Sequence, residues 1–287
     1  MRMVVHRRDA EGAQRKTIPD GVLAAGGVLD RIVEAKAIRL AEAKRSVPLE
    51  QVIAQCGSHA RRSFAESIAK PERVNIIAEI KHRSPSKGII REDFNPTNIA
   101  ESYAEANAAA MSVLAEEDFF GGSLDHLRAI RQRVNTPLLR KDFIFDEYQI
   151  YESVAAGADA VLLIVAVLDD ELLARLIKLA SEIGLDALVE VHTADEMKRA
   201  TIAGAQIIGV NNRDLTTFAV DLKTSFHLAQ LAPAKAILVS ESGIKTGEDI
   251  RNLKSAGFSG FLIGEHFMRA ENPGDALGRL IADANQS

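Results

Sequence analysis

Eight short apolar runs, each rich in β-formers, recur along this chain, and a stretch with helical spacing follows each one. The runs are Ile76–Ile80, Ser112–Ala115, Leu138–Lys141, Ala160–Val165, Ala187–Val191, Ile207–Val210, Ile237–Ser240 and Gly260–Ile263. Their starts lie 36, 26, 22, 27, 20, 30 and 23 residues apart. Each interval has room for one helix and two short loops. Strands alternating with helices make a parallel sheet, because a parallel pair needs a crossover connection. Gly157, Gly184, Gly204 and Gly257 sit between helix and strand, where a left-handed C-cap is wanted. The phrases AAGADAVLL, EIGLDALVE, IAGAQIIGV and SAGFSGFLI repeat one theme of helix end, glycine and strand. Eight units in about 210 residues favour an α/β fold of the (β/α)8 TIM-barrel kind over an open sheet. A dinucleotide-binding open sheet would carry GxGxxG after its first strand, and none is there.

Ahead of the barrel, residues 21–70 read as an N-terminal helical extension. Leu29, Ile32, Val33, Ala37 and Leu40 recur at helical spacing, Pro48 ends the pattern, and a weaker helix is expected at Leu49–Gln55. The expected role is a clamp over hydrophobic surface of the barrel. Residues 1–20 read as a loose tail and 71–287 as the barrel, with one domain overall. A fused neighbouring enzyme is not expected, since the chain runs out just past the eighth unit.

Composition narrows the function. Lys and Arg number 35 against 40 Asp and Glu, a net charge of −5, so a basic nucleic-acid face is not expected. Any anionic ligand must be held by a local positive cluster. The longest apolar run, Ala160 to Leu168, is far short of the roughly twenty residues of a membrane helix. The N-terminus lacks an apolar core of signal-peptide length. The single cysteine, Cys56, forms no intrachain disulfide and fits a reducing, cytoplasmic setting.

A barrel carries its chemistry at the C-terminal ends of its strands. Those ends are unusually polar here. The first runs into Glu79 and Lys81, then the loop SPSKG. The second runs into Glu116 and Glu117. The third ends in Lys141 and Asp142, the fifth in Glu190 and His192, the sixth in Asn211 and Arg213. The seventh ends in Glu241 and Ser242, the eighth in Gly264 and Glu265. Strand period two points Glu79 and Lys81 the same way, into the barrel mouth, if Ile76, Ala78 and Ile80 face the helices. So many charges cost desolvation unless they pair or meet a ligand. Lys81 and Lys141 are expected to face Glu79 and Glu190 across the mouth. An apolar wall beside such lysines would lower their pKa. Gly243 and Gly264 lie just beyond the seventh and eighth strands, where barrels often bind phosphate, and Ser84, Ser86 and Lys87 approach from the first. Glu265 fits a phosphate only if its carboxylate points away. No metal cluster is evident: His192 has no second histidine at another strand end, and it reads as structural.

These residues lie in a sequence that resembles indole-3-glycerol-phosphate synthase. The matching stretches are IIAEIKHRSPSKGII, EEDFFGGSLDHL, PLLRKDFIFDEYQIYESVAAGADAVLLI, LVEVHTADEM, IIGVNNRDLTTFAVDL, LVSESGI and GFLIGEHFMR. The resemblance implies ring closure, decarboxylation and dehydration of 1-(2-carboxyphenylamino)-1-deoxyribulose 5-phosphate, in tryptophan biosynthesis, without cofactor or metal. It implies Lys141 as general acid. It gives Lys81 the substrate carboxylate and the later loss of hydroxide, and Glu79 the role of base. Glu190 would steer the lysine acid, and Asn211 and Arg213 would position the sugar. Glu241 and Ser242 would complete the floor. Phosphate would rest on Ser84 and the N–H groups of Gly243, Gly264 and Glu265. Leu114, Phe120, Phe143, Leu162 and Ile164 would sandwich the aromatic ring. The chain departs from the family at Ala115, where threonine is common, and at Asp118, where a basic residue is frequent, so the second loop is expected to close differently. It also has no tryptophan. Two other readings stay open: an isomerase like phosphoribosylanthranilate isomerase, and a non-catalytic barrel binding a phosphorylated metabolite. Non-covalent contact with other tryptophan-pathway enzymes is compatible with all of this.

Overall fold

β-Branched and leucine-rich runs pair edge to edge until no edge is left. In the computed structural model, which describes residues 19–57, 61–215 and 217–286, the strands are β1 Asn75–Ile80, β2 Ala110–Leu114, β3 Leu138–Lys141 and β4 Ala160–Ile164, followed by β5 Asp186–Val191, β6 Ile207–Asn211, β7 Ile237–Glu241 and β8 Phe258–Ile263. All neighbours are parallel, and β1 pairs with both β2 and β8, which closes an eight-stranded barrel. The register runs Glu79 beside Ser112, Leu114 beside Lys141, Glu190 beside Gly209 and Asn211 beside Glu241.

Several strand bounds differ from the sequence reading. The second starts at Ala110 instead of Ser112, because Ala110 pairs with Ile77 and Met111 with Leu138. The fourth stops at Ile164, and Val165 opens a short 3-10 turn. Asn211 and Glu241 are the last residues inside their strands rather than loop residues beyond them. SPSKG is more than an open loop: Arg83–Ser84 and Gly88–Ile89 pair as a small antiparallel hairpin.

The helices are α1 Val28–Ser46, α2 Leu49–Gln55 and α3 Phe64–Ile68 before the barrel, then α4 Pro96–Glu105 through α12 Pro273–Ala284 around it. Their starts are capped as the sequence allows. Asn95 with Pro96 opens α4, a Thr246–Asp249 capping box opens the helix Gly247–Ser255, and Asn272 opens α12. Gly157, Gly184, Gly204 and Gly257 all have positive φ, between 70° and 100°, a conformation that costs other residues about 1 kcal/mol or more.

α3 closes the N-terminal end of the barrel with the fully buried Phe64 and Ile68. Ala65 N–H donates to Asp186 and Arg62 N–H to Asp159, both at strand starts. α1 lies at the opposite end. It buries Leu29, Ile32, Val33 and Leu40, and with them Lys36. The Lys36 ammonium donates to Glu117 (2.8 Å) and Asp142 (3.1 Å), just past β2 and β3. Arg39 makes a two-pronged bond to Asp118, 2.6 Å on each side. Asp118 therefore ties the second βα-loop to α1. Cys56 is a packing residue whose thiol donates to Val52 and Tyr151 carbonyls. The reading of residues 1–20 as a tail falls almost wholly outside the described residues. No described helix is long and apolar enough to cross a membrane.

Candidate active site

A cavity of about 660 Å³ opens at the C-terminal ends of the strands. Its charged floor is Glu79, Lys81, Lys141, Glu190 and Glu241. Four of these, Glu79, Lys141, Glu190 and Glu241, come one each from β1, β3, β5 and β7. Alternate strands of such a barrel share a layer of four side chains, ordinarily apolar. Here the layer holds one ammonium among three carboxylates.

Lys141 Nζ donates to Glu190 Oε2 at 2.8 Å and to Glu241 Oε2 at 2.9 Å. Burial alone would lower the lysine pKa, as the sequence suggested. The two carboxylates reverse the sign, and Lys141 is held well above the ordinary lysine value. Glu190 is buried too, yet Lys141 and His192 hold it well below the ordinary carboxylate range. Glu241 goes the other way: burial pushes it up to about 7, and Lys141 only partly offsets this because the charge on Glu190 opposes it. Its Oε1 is buried without a hydrogen-bond partner. Lys81 does not reach across the mouth. It bonds its strand neighbour Glu79 directly.

The floor has space for these carboxylates because of two glycines. A Cβ at Gly209 would overlap Glu241 Oε1, and one at Gly264 would overlap Glu79 Oε2.

Beside the floor stands an apolar wall of Leu114, Phe120, Phe143, Leu162 and Ile164. The Phe120 and Phe143 rings are 6.4 Å apart and tilted by 36°. α1 adds Val28, Leu29 and Ile32 to the lining, which the sequence reading missed. Helical spacing marks Leu29 and Ile32 as buried but does not separate core from cavity, and half-buried Val28 lies outside that pattern.

The far side holds Ser84, Ser242, Gly243, Gly264 and Glu265. Ser242 and Gly243 both take positive φ, 65° and 87°, so the backbone turns sharply after β7. Gly264 is the N-cap of α11, Glu265–Met268. The Glu265 carboxylate is claimed by Arg269 at 3.0 Å and is held below its ordinary pKa despite partial burial. Lys87, Lys245 and Arg269 also line the cavity and supply local positive charge. Lys245 carried no signal in the sequence, being one lysine in an irregular loop.

Asn211 and Arg213 both reach the wall, and Asn211 Oδ1 accepts the Arg213 N–H at 3.0 Å. Their neighbour Asn212 points the other way. It is buried against Ser240, Glu241 O, Ser242 O and the Ser225 N–H, and it fastens β6 to β7. The remaining polar strand ends serve the frame. Glu116 accepts the N–H groups of Asp118, Phe119 and Phe120 and so shapes the second loop. Asp142 borders the cavity, but its carboxylate is taken by Arg140 and Lys36.

A closed (β/α)8 barrel with lysine–carboxylate pairs on its floor, an aromatic wall and a basic rim is an acid–base enzyme for an anionic small molecule. Residues 29–280 match the family model for indole-3-glycerol phosphate synthase. The synthase of Carboxydothermus hydrogenoformans is 46% identical over 263 residues, covering 88% of this chain and 99% of that one. That of Acetivibrio thermocellus is 48% identical over 248 residues, covering 85% and 95%. That of Legionella pneumophila (strain Paris) is 44% identical over 256 residues, covering 89% and 99%. Among solved structures, 3-hexulose-6-phosphate synthase from Salmonella typhimurium shares the fold with a TM-score of 0.59. It is 14% identical and covers 73% of this chain and 99% of that one. The chain belongs to the indole-3-glycerol phosphate synthase family. The activity that goes with it is a carboxy-lyase reaction of tryptophan biosynthesis.

Proposed function

We propose that this cavity converts 1-(2-carboxyphenylamino)-1-deoxyribulose 5-phosphate to indole-3-glycerol phosphate with Lys141 as the first general acid. The observation that carries this is the Lys141 ammonium, fixed by Glu190 and Glu241 beside an apolar wall. The aromatic ring lies against Leu114, Phe120, Phe143, Leu162 and Ile164. Phosphate rests on Ser84 and the N–H groups of Gly243, Gly264 and Glu265, near Lys87 and Lys245. Asn211, Arg213 and Ser242 orient the sugar.

Lys141 gives its proton to the ribulose carbonyl oxygen as the ring carbon attacks the carbonyl carbon. In a dry site, the positioned ammonium stabilises the charge developing on that oxygen. The substrate carboxylate, held by Lys81, then leaves as carbon dioxide. Lys81 protonates the departing hydroxide, and Glu79 takes the proton whose loss completes the indole. Glu190 and Glu241 keep Lys141 charged and aimed. No organic cofactor enters this scheme. A cytoplasmic setting goes with it, as does non-covalent contact with neighbouring pathway enzymes.

The chain has no tryptophan, so indole emission reports product on a dark background. Product should appear with chelator present. Lys141→Ala should lower kcat by several orders of magnitude with little change in substrate affinity. A loss under about tenfold would remove Lys141 from the acid role. A folded protein that binds the substrate without turnover would favour a binding barrel.

A further inference from the structure

The proposed reaction does not balance its protons within the site. The ionised substrate carboxylate leaves as neutral carbon dioxide and the hydroxyl leaves as water. One proton is therefore taken from solvent in each turnover. The Lys81–Glu79 pair recharges itself, since Glu79 gains one proton, Lys81 loses one, and the two are hydrogen-bonded. The deficit falls on Lys141, at the bottom of a cavity that the substrate fills.

We infer that Glu196, His192 and Glu190 form a proton path that recharges Lys141 from a second cavity. The inference rests on Lys141 being the first acid. The second cavity, of about 440 Å³, lies on the other side of Asn211 and Arg213 and is lined by both His192 and Glu196. His192 Nδ1 is 3.2 Å from Glu196 Oε2, and His192 Nε2 is 3.3 Å from Glu190 Oε1. The other oxygen of Glu190, Oε2, holds Lys141 Nζ at 2.8 Å. The chain is thus continuous from the second cavity to the acid. The Nε2 contact has an ion-pair separation without hydrogen-bond alignment, and this nitrogen is buried with no other partner. A small turn of the ring completes the link, as catalytic hydrogen bonds often tighten only when substrate binds. The alternative route through Glu241 stops at its Oε1, which is buried without a hydrogen-bond partner.

The groups facing His192, which follows β5 directly, are Glu190 on that strand and Glu196 on the next helix. Asp214, Asp221 and Arg213 border the same cavity. Two carboxylates around the ring favour the imidazolium, so the relay is loaded at neutral pH. After Lys141 has given up its proton, the Nε2 proton moves to Glu190 Oε1, and the neutral carboxyl turns about its Cγ–Cδ bond to hand that same proton to Lys141. The ring keeps its Nδ1 proton and is left bare at Nε2, so it resets by turning Nε2 toward Glu196, taking a proton there from water in the second cavity, and turning back.

His192→Gln retains a hydrogen-bonding side chain but carries no transferable proton. Rapid mixing with substrate should give one product per site at the wild-type rate, then steady turnover slowed about 10- to 100-fold. KM should fall in step with kcat, because kcat/KM is set by the unslowed first turnover. Added imidazole should restore steady turnover in His192→Ala, since that side chain lines the open cavity. Equal slowing of the first and later turnovers in His192→Gln would mean that the ring only positions Glu190, and the relay would fall. Wild-type steady turnover would also overturn it. Glu196→Gln supplies the same burst test if the His192 variants do not fold. Lys141→Ala, run alongside, should slow the first turnover itself; if it does not, the acid assignment fails, whatever His192 does.

Discussion

Gly209 and Gly264 are fixed by the acids beside them rather than by a turn. Neither has a positive φ, and each gives up its side-chain volume to a carboxylate, of Glu241 and Glu79 respectively. Gly209→Ala should push Glu241 off Lys141. Overpacking of this kind costs about 1–3 kcal/mol of stability. The larger effect should be on turnover, with kcat down about tenfold or more and the fold retained by circular dichroism. A variant with wild-type kcat would show that Glu241 is not needed where it sits. The sequence made the floor legible through position: charged residues at successive strand ends of a barrel have one place to go. It did not show that Lys141 is shared by Glu190 and Glu241. That sharing spans β3, β5 and β7, and it depends on how the closed sheet curves, which no local pattern encodes. Glu241 is expected from the sequence to line the floor, and in the structure it also accepts a hydrogen bond from Lys141. Nor could strand ends alone separate Glu116 and Asp142, which build loops and ion pairs, from the residues that face the cavity.

Among the elements, α1 does the most to join frame and site. Its apolar stripe was readable from Leu29, Ile32, Val33 and Leu40, but one residue on that stripe is Lys36, four residues from both Ile32 and Leu40. A lysine at a core position announces a buried partner. The sequence contained that signal, and only the structure supplies the partners, Asp142 and Glu117. Removing one member of a buried pair costs about 3–5 kcal/mol, because the remaining charges stay buried. Lys36→Met should fall toward the lower end, since Arg140 still holds Asp142. Because the same helix presents Leu29 and Ile32 to the cavity, KM should rise as well. Urea unfolding and saturation kinetics on one preparation would check both. A loss of stability with KM unchanged would separate the helix from substrate binding. The alternation of strand and helix was legible throughout because period two and period 3.6 differ so plainly. The strand bounds were less so: pairing partners, as at Ala110 and Met111, extend strands past their apolar runs.

At the scale of the whole molecule, the buried charges set how stability varies with pH. Asp142 and Glu190 have folded pKa values below their unfolded ones. Their contribution is present above about pH 4 and is lost as pH falls through the folded values. Glu241 has the opposite sign. Its folded pKa of about 7 lies above the unfolded value, so the unfolded chain ionises first and stability declines between about pH 4.3 and 7. His192 is raised to about 10: burial opposes the shift and Glu190 and Glu196 overcome it. Its contribution is complete below about pH 6.5 and fades as pH rises toward 10. Lys36 and Lys141, both raised, hold their contributions through neutrality. These groups together give a melting temperature highest near about pH 4, falling on both sides, with Glu241 and His192 shaping the alkaline limb in succession. Thermal melts at fixed ionic strength should therefore show Glu241→Gln flattening the limb from about pH 4.3 to 7, and His192→Gln flattening it from about 6.5 to 10. Glu241→Gln should leave the decline below about pH 4, which belongs to Asp142 and Glu190, while His192→Gln should make it shallower, since His192 is one of the two groups that hold Glu190 low. A wild-type melting temperature that climbs from pH 6 to pH 9 would mean that the floor carboxylates and His192 are not charged as their surroundings dictate. The relay assigned to His192 would then lose its loaded state at neutral pH.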